Sequence, residues 1–180
     1  MLQIVIPALE YWDEKKEMFV SEKEQVLQLE HSLISLSKWE SKWCKSFLST
    51  KELSREENMD YIRCMTITKN VSPDTYKRLT NQHIDQINEY IKAPMTATTF
   101  REGRGAKGRK RIITAELIYY WMVTFNIPVE FQKWHLNRLL TLIRVCEIEN
   151  SPKKKQSAND ILRENAALNA ARKAQLKTKG

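Results

Sequence analysis

From Leu33 onward the apolar residues of this chain return every three or four positions, and that spacing limits it to a largely helical fold. Leu33, Leu36, Trp39 and Trp43, continued by Phe47, mark an amphipathic helix over about Ser32 to Lys45. Ser54 followed by Glu57 is a capping-box start for a second helix, carrying Met59, Ile62 and Met65 with Tyr61 and Cys64 alongside. Beyond the break at Ser72-Pro73-Asp74, Tyr76, Leu79, His83, Ile84, Ile87, Tyr90 and Ile91 form a further series, stopped by Pro94. Ala115–Asn126 is apolar almost all round, which predicts a central helix buried on every side. After Pro128, the residues Phe131, Trp134, Leu136, Leu139, Leu140, Ile143 and Cys146 give the broad apolar face of its partner. The two together predict a buried αα-hairpin over 115–148.

Strand signals are few. Leu2–Ile6 is a short apolar run closed by Pro7, as at a sheet edge. Residues 10–20 fit neither period, whereas Gln25–Glu30 alternates Leu27 and Leu29 against polar neighbours. Thr96–Phe100 and Lys110–Thr114 have strand propensity, and three of the four glycines lie between them, which predicts a β-hairpin over 96–114. The expected fold is therefore α+β and mainly α-helical. It has N-terminal strands and the 96–114 hairpin as its β element, a globular domain over 1–150, and a basic linker and extended C-terminal helix over 151–180.

The formal charge of +8 is concentrated in two places. Residues 101–111 carry a net +5 and residues 152–180 a net +6, which leaves −3 for everything else. The glycines of the first segment follow neither dinucleotide nor P-loop spacing. Arg101, Arg104, Lys107, Arg109, Lys110 and Arg111 are candidate contacts for a nucleic acid or an acidic protein. The C-terminal helix has alanines and a thin stripe of Ile161, Leu162, Leu168 and Leu176, with Arg172 and Lys173. It has little to bury, so these six residues are expected to bind a partner.

Nothing in the sequence calls for catalysis or a cofactor. His31, His83 and His135 have no companion at metal-ligand spacing, and nucleophile-elbow and zinc-protease motifs are missing. Cys44, Cys64 and Cys146 are odd in number and far apart, which fits reduced thiols in a cell interior. No apolar run approaches the length needed to cross a bilayer, and the opening residues lack the basic leader of a signal peptide.

Several blocks are similar to the tail assembly chaperones of tailed bacteriophages. They are Thr114–Met122, Trp134–Leu139, Arg163–Lys173 with its Leu168-Asn169-Ala170-Ala171-Arg172-Lys173, and Ser37–Glu40 ahead of Asp60–Arg63. The resemblance implies a non-catalytic protein of the host bacterial cytoplasm. Its partner would be the tape-measure protein, kept soluble during tail assembly, with the tail tube protein and self-association as further contacts. It carries over no catalytic, metal or cofactor residue. Two other readings remain open at this point: a small basic nucleic-acid-binding protein, and a structural virion component at a neck or tail joint.

Overall fold

The computed structural model describes residues 1–14, 17–100, 112–151 and 158–176. Its fold is α+β and mainly helical, with a small antiparallel β element. Two compact units are distinguished, Met1–Cys146 and Glu147–Gly180.

The β element is an N-terminal ribbon. Strand β1 (Leu2–Ile6) pairs antiparallel with β4 (Gln25–Leu29), and β2 (Leu9–Asp13) pairs with β3 (Met18–Glu22). The two pairings share one register: three steps along each chain lead from Ile6↔Gln25 to Leu9↔Glu22. The ladder breaks at Pro7, which has no N–H to donate. Inner-half alternation follows the sequence, with Ile4, Ile6, Leu27 and Leu29 buried and Val5 and Val26 outward. The outer half, β2–β3, lies in the stretch where the sequence showed no clear period. Leu9, Tyr11, Trp12, Met18 and Phe19 are all exposed there.

Helix α1 (Leu33–Trp43) is the central element. One side puts Trp39 into a cluster with the inner ribbon, Tyr61, Ile62 and Met65 of α2 (Arg55–Met65), Tyr76 of α3 (Pro73–Lys77) and Ile87 of α4 (Asn81–Lys92). The other side puts Leu33 and Leu36 into a second cluster with Ala115, Ile118 and Met122 of α5 (Ala115–Thr124) and Leu136, Leu139 and Ile143 of α6 (Leu136–Asn150). Phe47 packs against both clusters. The central position expected for residues 115–126 thus belongs to α1. Helix α5 is buried on one face only, with Tyr120 61% and Val123 76% exposed. Its apolar outer face misleads a periodicity argument, because burial of one side does not require burial of the other.

Local chemistry accounts for the helix boundaries. The Ser54–Glu57 box forms as expected: Glu57 N–H donates to Ser54 Oγ at 3.1 Å and Ser54 N–H to Glu57 Oε2 at 2.7 Å. The series beginning at Tyr76 divides into α3 and α4 because Thr80 caps α4, accepting from His83 N–H. Between α5 and α6 the chain turns through a short 3₁₀ helix, Val129–Lys133.

The 96–114 hairpin is corrected by its described ends: 96–100 and 112–114 contain no strand. Thr98 N–H donates to Thr96 Oγ1, a local turn bond that competes with a ladder. The ends are instead held by side chains, with Arg144 4.1 Å over the Phe100 ring and Ser46 Oγ donating to the Ile113 carbonyl at 2.7 Å.

Candidate functional site

Two helices and two connecting segments leave a groove of about 850 Å³ on the first unit. Helix α2 buries Tyr61, Ile62 and Met65 in the core, and the half-buried Met59 joins Ile62 in lining the groove. Helix α4 fully buries Ile87 alone, and Ile84 and Ile91, a turn to either side, are left half-exposed. Phe47, Leu53 and Leu79 complete an apolar floor. Asn58, Asn81 and Asn88 add amides, and Lys51, Arg55 and Lys92 supply all the charge that lines the groove. These three cations are exposed, and among the described residues no carboxylate lines the groove. Such a site suits an extended apolar surface bordered by acid.

A second cluster lies where α2, α4 and α6 meet the residues that precede α1. His31 Nδ1 and the Tyr61 hydroxyl share a 2.6 Å hydrogen bond, and the His31 and His135 rings meet edge to face with centroids 5.1 Å apart. His135 Nδ1 accepts from Asn137 N–H, which leaves the proton on Nε2 to be donated to the Tyr90 carbonyl at 3.0 Å. The Tyr90 hydroxyl donates to Glu30 Oε1 at 2.7 Å. Burial, reinforced by the neighbouring His135, pulls His31 down to about 3. Burial also lowers His135, against the opposing pull of the Tyr90 carbonyl and Glu30. Both rings are therefore neutral at pH 7 and committed to protein partners, so their chemistry is that of a packed polar core.

A third cluster neutralises charge between α1 and α2. Asp60 is buried, which by itself would raise its pKa. Lys42 Nζ at 2.7 Å and Trp43 Nε1 at 2.9 Å bond the carboxylate and bring it below the usual range. Burial raises the Cys64 thiol, with the Asp60 charge adding to the effect, so thiolate formation is disfavoured. The three cysteines are free thiols. Among the described residues no group of three or more His, Cys, Asp or Glu could hold a metal ion. Among the same residues no helix is long and apolar enough to cross a membrane.

Of the residues singled out in the sequence, Leu162, Leu168 and Leu176 are 65%, 50% and 71% exposed on α7 (Ala158–Leu176). Arg172 and Lys173 are exposed on the same helix, and Ile161 belongs to its first turns. Arg101, Arg104, Lys107, Arg109, Lys110 and Arg111 lie outside the described residues. Sequence reasoning missed the groove and the histidine pair. The groove could have been suspected from α4, whose apolar stripe of Ile84, Ile87 and Ile91 is wider than one buried contact needs. The pairing of His31 with His135 spans most of the chain and leaves no local trace. Comparison with models of protein families, with curated proteins and with solved structures finds no match.

Proposed function

We propose that this chain is a non-catalytic tail assembly chaperone of a tailed bacteriophage, acting in the host cytoplasm. It holds an amphipathic segment of the tape-measure protein in the α2–α4 groove. The observation that carries the reading is the groove's composition, an apolar floor with an exclusively cationic lining charge. A long helical client exposes an apolar stripe before assembly, and covering that stripe prevents aggregation. An open groove with Met59 at its edge accommodates many sequences, as a client of repeating but non-identical helical turns requires. The exposed leucines of α7 supply a second apolar strip for the same client, and the tail tube protein is a further partner at the same stage of assembly.

Co-expression with a tape-measure protein tests this. The wild-type chain should keep the client in the soluble fraction and co-purify with it. A Met59→Glu/Ile84→Glu variant should lose both effects while its circular dichroism stays that of the wild type. A folded variant that still solubilises the client would overturn the reading. Co-purification of nucleic acid in place of the client, lost steeply with salt, would favour the nucleic-acid alternative.

A further inference from the structure

The β2–β3 arm presents a second surface whose chemistry is the reverse of the groove's. Trp12 and Phe19 are cross-strand partners and stack edge to face with centroids 5.0 Å apart, although they are 51% and 73% exposed. Tyr11 and Met18 are exposed as well. Holding large apolar side chains in water on a two-stranded ribbon is unfavourable, and a ribbon of this size is marginal by itself. The arm is nevertheless built and anchored. Arg78, the C-cap of α3, bonds the Pro7 carbonyl and the Glu22 carboxylate at the arm's base. Residues 9–24 hold six carboxylates against three lysines, whereas the chain as a whole is basic. The aromatics are therefore framed by negative charge, and Glu10, Glu14, Glu17 and Glu24 are exposed.

We propose that the β2–β3 arm of one copy docks in the α2–α4 groove of a second copy. The aromatics would fill the apolar floor, and the arm's carboxylates would face Lys51, Arg55 and Lys92. Among the described residues no arm residue lines the groove of its own chain. A symmetric arm-to-arm dimer is disfavoured, because it brings acidic residues of both copies together. Arm into groove is a head-to-tail contact, and each copy has one of each surface. Association therefore grows into chains or closes into rings. The contact is small, which makes it weak and dependent on concentration and salt. This inference is separate from the client reading, since a client would compete for the groove without being needed for self-association.

The experiment is sedimentation velocity of the full chain across a hundredfold range of concentration, at about 50 mM and about 500 mM salt. The wild type should gain mass beyond the dimer as concentration rises, and less so at high salt. A Trp12→Ser/Phe19→Ser variant and a Lys51→Glu/Arg55→Glu/Lys92→Glu variant should each remain monomeric. Mixed together they should form a 1:1 dimer and nothing larger, because one retains a sound groove and the other a sound arm. All these positions are exposed, and circular dichroism checks that both variants fold. A monomeric wild type, self-association of either variant, or a mixture that stays monomeric would overturn the proposal. A monomeric wild type that still solubilises the client would remove this inference and leave the proposed function standing.

Discussion

Replacing Glu40 with alanine should loosen the joint between the two core clusters. Glu40 is buried on α1, 7% exposed, and its carboxylate accepts two backbone N–H groups from distant segments: Phe47 at 2.9 Å and Ala115 at 2.7 Å. Ala115 is the first residue of α5, and Thr114, the N-cap of that helix, makes no side-chain capping bond. Glu40 thus caps α5 from another helix, with negative charge at the positive end of the dipole. Truncation leaves both donors without an acceptor. A buried donor left unpaired costs about 1–3 kcal/mol, and the Phe47 site is only partly buried, so about 2–4 kcal/mol is expected in all. For a chain of this size that lowers Tm by about 5–15 °C. Glu40→Gln keeps one acceptor oxygen and should cost about half as much. Glu52→Ala, at an exposed position, should stay within about 0.5 kcal/mol. Urea denaturation monitored by tryptophan fluorescence gives the three values, and hydrogen exchange reports whether the Ala115 amide loses protection. If Glu40→Ala is no more destabilising than Glu52→Ala, the carboxylate does not hold α5 and the argument fails.

Further expectations concern pH, the arm and the C-terminal helix. His31 has a folded pKa of about 3, below its unfolded value of 6.5. The unfolded chain therefore binds the extra proton, and stability falls as pH drops below 6.5 by about 1.4 kcal/mol per unit. Denaturation at pH 7 and pH 5 should differ by about 2 kcal/mol from this residue, and His31→Gln should reduce the difference; a slope unchanged in the variant would refute the assignment. Arg78→Ala should speed hydrogen exchange in β2 and β3 while the amides of α1 exchange as before, and equal acceleration in both would contradict the anchoring role. Removing residues 152–180 should leave the melting of the remaining chain unchanged and weaken client capture. A large loss of Tm would show that the C-terminal helix belongs to the fold.

The helices were legible where period and punctuation agreed: Ser54 with Glu57 and the Leu33-to-Trp43 repeat each encode a local structure, whereas Ser72-Pro73-Asp74 reads as a break and is instead the start of α3. The inner ribbon was legible for the same reason, through the alternation at Leu27 and Leu29. The outer ribbon was not, because Leu9, Tyr11, Trp12, Met18 and Phe19 face water on both sides and leave no buried-exposed alternation to detect. Depth in the core was misread for residues 115–126, since an apolar side chain does not declare whether it is covered. The groove was only half legible: the Ile84, Ile87 and Ile91 stripe of α4 hints at a second apolar contact, but the α2 wall is brought to it by tertiary packing that neither helix encodes alone. The α7 stripe was read from spacing alone, and its leucines are indeed exposed, but what they contact is not written in the helix itself.

The most direct measurement is a titration of the methyl-labelled chain with an amphipathic, acidic-bordered segment of a tape-measure protein, followed by NMR. The account predicts that the methyl signals of Met59, Ile84 and Ile91 shift with the segment, while those of Ile118 and Met122 in the second cluster do not. Silent groove methyls, or shifts spread equally over both clusters, would contradict it.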